Sequence, residues 1–393
     1  MRAGWESATI GDTCDVVNGG TPKTGVAEYW GGSHRWITPA EMGKRSSPYI
    51  DQTDRSITDL GLQNSSARSL PPYSVILSSR APIGHLVINT EPMATNQGCK
   101  GLVPRSRIDH KFLYYYLGSI VDLLNVLGTG ATFKEISGGN LKLVTVPVPP
   151  LAEQRRIVAI LDEAFEGIAT AKANAEKNLQ NVRQLFESYA KSVFQQGAQR
   201  WPAKTLDQIA TNLDSKRVPI TKSDRQPGEY PYYGASGIVD YVADYIFDGD
   251  TLLISEDGAN LLARSTPIAF SVSGRYWVNN HAHILKFEHM ATQRFVEFFL
   301  ESIPLDEYIT GAAQPKLNQK ALNSIPIPIP NTVEDQQQVV DRLVKLAEQS
   351  ELLQRTYERK LAALAELKKS LLHQAFSGQL TAKAADRQLE ALA

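Results

Sequence analysis

The chain has 393 residues, 42% of them apolar and 21% charged, the balance of a soluble globular protein with room for two or three cored domains. A formal charge of −1 excludes a protein that holds polyanions by bulk charge, so any affinity for nucleic acid must come from local clusters. With only Cys14 and Cys99, no disulfide framework is expected, and the absence of a signal pattern or a membrane-length apolar run predicts a cytoplasmic protein.

In chain order, residues 1–150 read as a first domain of strands and loops with one helix. Short apolar runs at 74–77, 85–89 and 101–104 are separated by turn residues, and a Phe/Tyr-rich helix is predicted over 111–120, packed on the sheet rather than stacking on bases. An extended Val-Pro-Val-Pro segment ends at Pro150, because a residue preceding proline is pushed out of the helical region. The stretch 151–198 is then a long helix. Glu153 lies in its first turn, where the dipole favours negative charge, and Ile157, Ile160, Leu161, Leu179, Leu185 and Val193 recur at helical spacing.

The plan then repeats. Residues 199–330 carry strand-like runs at 251–255, 268–272 and 283–287 and a second aromatic helix at 294–303. Residues 331–380 form a second long helix with the stripe Leu343, Leu353, Leu361, Leu364 and Leu371, and 381–393 is a frayed tail. Lys111 to Leu117 matches Arg294 to Leu300, Ser188 to Phe194 matches Ser370 to Phe376, and Thr129-Gly130-Ala131 matches Thr310-Gly311-Ala312. A lone helix of this length leaves an apolar stripe exposed, so antiparallel pairing of the two as a spacer is expected, with docking of a partner's helices as the rival use. The fold class is therefore α+β: two mixed, strand-rich domains in pseudo-two-fold repeat, each followed by a long helix.

Chemistry is hard to find. There is no Gly-x-x-x-x-Gly-Lys-Ser/Thr phosphate loop, and the segment beginning at Gly128 lacks the third glycine of a dinucleotide fingerprint. Asp109-His110-Lys111 imitates part of a nuclease site without its upstream acid. His281 and His283 form a possible metal pair with no third ligand at useful spacing, so structural hydrogen bonding is the better reading. Glu256-Asp257-Gly258 reads as a turn, and Cys99 as a small buried strand residue. No catalytic, cofactor-binding or metal residues are expected, and the chain reads as a binder.

Pro150 to Phe165, with Glu153-Gln154-Arg155 inside it, resembles the specificity subunit of type I restriction-modification systems. So do Gly19-Gly20-Thr21-Pro22-Lys23, Ser79-Arg80-Ala81-Pro82-Ile83-Gly84 and Thr95-Asn96-Gln97-Gly98. The counterparts of these core stretches are Tyr232-Tyr233-Gly234-Ala235-Ser236-Gly237 and Val278-Asn279-Asn280-His281. The resemblance covers essentially the whole chain. It implies that each domain is a target-recognition domain reading one half of a bipartite, gapped DNA sequence, while the helices fix the gap and dock modification (DNA adenine methyltransferase) subunits. S-adenosylmethionine, Mg and ATP would belong to partner subunits, the last with a separate restriction (translocase-nuclease) subunit; this chain would carry none.

Side chains able to reach bases or phosphates from loops are Lys23, Arg35, Lys44, Arg45, Arg80 and Lys134 in the first domain, and Lys216, Arg217, Lys222, Arg225, Arg264 and Lys316 in the second. The charge of the second domain opposes this reading. Residues 201–330 hold 11 basic and 15 acidic side chains, against 14 and 12 in residues 1–150. The alternative function is a coiled-coil interaction scaffold that never touches DNA.

Overall fold

A computed structural model describes residues 4–45, 47–130, 134–311 and 314–382. Of the expected frayed tail 381–393, residues 383 onward, together with Ala131 and Ala312 of the repeated Thr-Gly-Ala stretches, lie outside the described residues; 381–382 are corrected, being helical with Thr381 fully buried. The chain divides into two compact units, Met1–Asn174 with Leu361–Ala393, and Ala175–Lys360. These bodies cut across the sequential segments, because each unit holds part of both long helices.

In the first unit a five-stranded sheet runs in the order Cys14–Asn18, Cys99–Pro104, Val75–Ser78, Leu86–Asn89, Tyr49–Ile50, antiparallel except at the last pair. A three-stranded sheet, Arg55–Ile57, Trp30–Ile37, Met93–Thr95, lies beside it, with its second pair parallel. Glu6–Thr9 pairs with Thr145–Val148, the strand that leads to Pro150. The second unit repeats the scheme. Thr211–Asn212, Ala282–Lys286, Thr251–Ser255 and Ala269–Val272 form one sheet, and Gly237–Val242, Pro227–Gly234, Arg275–Val278 and Phe247–Asp248 form the other, with its central pair parallel. Ala203–Lys204 pairs with Ile327–Pro328 as the entry and exit of that unit.

Val75–Ser78 and Thr251–Ser255 are buried at every position. They therefore read as unbroken apolar runs rather than as alternating strands. The aromatic helices, His110–Ser119 and Met290–Ser302, turn their rings inward. Phe376, near the end of the second long helix, packs edge-on against Phe112 and Tyr116, and Phe194 meets Phe295 and Phe299 in the same way. Each such pair adds about 0.5–1.5 kcal/mol beyond area burial. These rings are core.

The long helices are Leu151–Gly197 and Val333–Ser377. The motif at their start has a plain physical cause. Gln154 is fully buried; its amide donates to the carbonyls of Pro149 and Arg107 while its oxygen accepts from Asp109 N at 2.8 Å. Gln336 repeats the arrangement, donating to Pro330 O and accepting from Thr292 Oγ1 at 2.6 Å. Each glutamine ties the start of its long helix, and a proline carbonyl just before it, to the aromatic helix of its own unit, which fixes the angle at which the long helix leaves.

Within each unit the helices run antiparallel. In the first, Thr381 hydrogen-bonds Glu153 and the Lys368 ammonium lies 5.1 Å from the Phe165 ring centre. In the second, Arg183 bonds Gln354 at 3.2 Å, and Leu185 and Tyr189 share a groove with Arg342 and Leu346. Of the expected stripe, Ile157, Leu161 and Leu343 are fully buried, and Ile160, Leu179, Val193, Leu361, Leu364 and Leu371 are half-buried. Leu185 and Leu353 are 60% and 45% exposed, so of the two expected uses of the stripe, pairing and partner docking, they are open to the second. A two-helix seam covers a narrower strip than a domain core does, and Leu185 lies at the rim of the groove it shares with Arg342 and Leu346.

Candidate nucleic-acid interface

Loops converge at one edge of each unit, and backbone hydrogen bonds lace them together. In the first unit Gly19 N donates to Cys99 O and Gly20 N to Thr95 O, while the buried Trp36 indole donates to Gly20 O at 2.9 Å. A Cβ on Gly19 would stand 1.9 Å from Asn96 O, and one on Gly20 would stand 2.1 Å from Ala67 N. The Gly-Gly pair is required because backbone approaches backbone there. Thr21 Oγ1 accepts from the Asn96 amide at 3.0 Å, Asn96 Oδ1 accepts from Gly98 N, and Ser79 N reaches Gly98 O. Ile136 N closes the chain of contacts on Ser79 O.

The second unit builds the same edge with other residues. Asn279 Oδ1 accepts from His281 N at 2.8 Å, the counterpart of the bond from Asn96 to Gly98 N. Glu256 N reaches His281 O, and Leu317 N reaches Glu256 O. In both units an isolated bridge joins the loop after the central strand to the loop after the Thr-Gly stretch: Arg80 with Glu135, and Asp257 with Lys316.

Charged networks lie under these edges. In the first unit Glu135 accepts from Arg80 at 2.7 Å and from Lys100 at 3.2 Å; Lys100 is 6% exposed and Arg80 is 42%. Burial pushes the Glu135 carboxyl up, but the Arg80 and Lys100 hydrogen bonds outweigh it and hold the group below its ordinary value. In the second unit Glu256 takes Arg217 at 2.5 Å and Lys316 at 3.2 Å. Asp214 bonds His283 Nδ1 at 2.6 Å and Ile284 N, while His283 Nε2 faces Leu317 O. Despite their burial, Asp214 and Glu256 are also held below the usual carboxylate values by these donors.

Asp214, Glu256 and His283 stand close enough to ligate a metal, their ligand atoms lying within 4.8 Å of one another. Arg217 and Lys316 already neutralise the carboxylates and both His283 nitrogens are engaged, so the set fits a structural network and not a metal centre. His281, bonded to Asp257 at 2.9 Å, is part of the same turn. Cys99 is buried in its strand and its thiol is pushed up to about 12 by burial, as a small core residue should be.

The candidate cations separate into classes. Lys23, Lys44, Lys134 and Lys222 are exposed on loops and Lys216 is exposed at the end of the 3-10 helix Asp214–Lys216, and among the described residues none of them forms an ion pair within 4.0 Å. Arg80 and Lys316 are held at the edges. The remaining five are corrected. Arg35 lies inside the strand Trp30–Ile37, not in a loop, with its Nε buried and without an acceptor. Arg45 is committed to the buried Glu41 and to Gln52 O. Arg217 points inward and is 15% exposed. Arg225 stacks 4.4 Å over Tyr232 and pairs with Asp240. Arg264, at φ +50°, donates to the carbonyls of Leu300 and Ile303 beside the long helix, away from the edge.

Part of the acidic charge of the second unit is tied up in ion pairs. Asp214, Glu256, Asp240 and Asp248 each hold a cationic side chain. Lys100 and Glu135 do not stand out in the sequence as site residues, since one reads as a strand residue and the other as a loop charge; only the repeat register shows that they matter. Tyr73 is also hidden from sequence reasoning: it adopts φ +65°, is 53% exposed and lies 5.0 Å from the His110 ring. No helix of the described residues is long and apolar enough to cross a membrane.

Comparison with known proteins places these features. The family model for the type I restriction modification DNA specificity domain matches residues 2–180 and again 199–360. The type I restriction enzyme MjaIX specificity subunit of Methanocaldococcus jannaschii is 27% identical over 304 residues, covering 73% of this chain and 70% of that one. The EcoR124I/EcoR124II specificity subunit of Escherichia coli is 30% identical over 200 residues, covering 47% and 49%. Among solved structures, a chain from a study of complex assembly and conformational transition of the type I R-M system superposes with a TM-score of 0.77 at 16% identity, over 97% of this chain and 99% of that chain. The HsdS subunit of Thermoanaerobacter tengcongensis gives 0.60 at 16% identity, over 97% and 98%.

Proposed function

The chain belongs to the type I restriction-modification DNA specificity family, and from that premise we propose how its two units divide the work. It is a DNA sequence-recognition protein without catalysis of its own, and it assembles with other subunits of such a system. The non-DNA-binding scaffold is thereby set aside.

In the proposed reading each unit presents its loop edge to one half of a bipartite target. The observation that carries it is the duplicated edge: the same strand ends, the same asparagine turn and the same bridge, bearing different side chains in each unit. A scaffold kept constant while its presented residues change is what two independent readers require. Lys23, Lys44, Lys134, Lys216 and Lys222 serve phosphates, which position the protein without carrying sequence information. The long helices act as the ruler. At 1.5 Å rise per residue each spans roughly 65–70 Å, enough to hold readers about one or two turns of DNA, ~34 Å each, apart. Exposed Leu185 and Leu353 suit docking of modification subunits, which would bring S-adenosylmethionine, with Mg and ATP on a restriction subunit.

The test is binding of the assembled complex to its DNA at several salt concentrations. Replacing Lys216 and Lys222 by Ala should weaken binding to all sequences alike. The slope of log K against log salt should become shallower by about 0.9 for each phosphate no longer neutralised. An unchanged slope would remove these lysines from the interface.

A further inference from the structure

The two charged networks share one design. In each, a glutamate lies between an inner, buried cation and an outer, exposed one; in the second unit Asp214 and His283 flank the inner cation as well. The inner cations are Lys100, 6% exposed, and Arg217, 15%; the outer ones are Arg80, 42%, and Lys316, 51%. The carriers have changed places. In the first unit the carboxylate comes from the loop after the Thr-Gly stretch and the outer cation from the loop after the central strand; in the second unit these origins are reversed. The charge pattern persists although no residue of it does.

Stability alone does not call for this pattern. A surface ion pair contributes roughly 0–1 kcal/mol, whereas burying an ammonium such as Lys100 is costly unless it is fully paired. In the first unit one carboxylate facing two cations leaves a positive charge uncompensated at the exposed end; in the second, Asp214 also takes the inner Arg217, and among the described residues the exposed Lys316 pairs with Glu256 alone. Donor counting shows what it can meet. Of the five N–H groups of a guanidinium, Glu135 engages Arg80 through Nε and Nη2, both to Oε2. Three hydrogens remain, two on Nη1 and one on Nη2, and one from each nitrogen form a parallel pair at the end of a side chain that is 42% exposed. That fork matches O6 and N7 of guanine in the major groove, and a lysine can reach the same two acceptors.

We infer that Arg80 in the first unit and Lys316 in the second are specificity-determining residues that each read a guanine, one in each half-site, and that Glu135 and Glu256 are the positioning residues that aim them. The inference rests on the proposed reading that the loop edges face DNA.

The test uses the full chain assembled with its modification subunits, on duplexes carrying its target, with 7-deazaguanine, which lacks N7, placed at each guanine in turn. One guanine in the Arg80 half-site should prove sensitive, the substitution weakening binding about ten-fold. Arg80→Ala should lose a similar factor and become indifferent to that substitution, while discrimination in the other half-site stays intact, which also shows that the chain is folded. Glu135→Gln should keep affinity for non-target DNA yet lose preference for that guanine, with Glu135→Asp restoring part of it; a structural role would not follow this pattern. Lys316→Ala should act in the other half-site only. If Arg80→Ala keeps its sensitivity at every guanine, or if no guanine is sensitive in the parent complex, the inference is wrong. If the parent complex shows no gapped target at all, the underlying reading fails with it.

Discussion

At the scale of residues, the carboxylates under the loop edges set an acid limit on stability. Glu135, Glu256 and Asp214 all titrate below their ordinary values of 4.5, 4.5 and 3.8 in the folded chain. A group whose folded value is depressed stabilises above its unfolded value and loses that contribution as pH falls through the folded one. Urea midpoints should therefore drop as pH is lowered below about 4.5, with the Glu135→Gln variant dropping less steeply because it no longer takes up that proton. Equal slopes for parent and variant would show that Glu135 does not titrate as described. Gly20 offers a sharper test: Gly20→Ala forces a methyl to within 2.1 Å of Ala67 N. It should cost about 1–3 kcal/mol by chemical denaturation, and local relaxation without loss would contradict the close packing. The Gly-Gly-Thr-Pro stretch could be recognised in the sequence because backbone proximity admits only glycine. The partners of Arg45, Arg217 and Arg264 could not, because an arginine that caps carbonyls or a buried carboxylate has the same local sequence as one that reaches into solvent.

At the scale of elements, the long helices were legible because their periodicity extends over many turns, and the aromatic helices, about three turns each, because their sequence recurs in the repeat. The Pro-x-Pro and Glu-Gln signal was legible as a motif, but its mechanism depends on Gln154 and Gln336 reaching residues far away in sequence. The short helices and two-residue strands carry no periodic signal. Leu185 and Leu353 fit the heptad-like pattern yet stay largely exposed, since pattern alone does not say how wide the covered strip is. Ile157→Ala, at a fully buried position, should cost about 2–5 kcal/mol. Leu185→Ala should change the stability of the isolated chain by less than about 0.5 kcal/mol, but should weaken assembly with the modification subunits if that face docks them. Sedimentation of the mixed subunits checks the second part: undiminished assembly would remove Leu185 from the docking face.

At the scale of the whole molecule, a repeat with one scaffold and two sets of presented side chains is the feature from which the function follows. The family assignment covers both copies. Total charge had little to say, because it does not show which charges pair with one another and which, such as Lys216 and Lys222, stay exposed. The most direct measurement is a genome-wide map of N6-methyladenine in cells carrying the parent chain and in cells where residues 1–150 are exchanged for those of another family member. The expected result is a bipartite motif in which one half changes while the other half and the gap between them stay the same. A motif that is unchanged, or one altered in both halves, would contradict the assignment of one half-site to each unit.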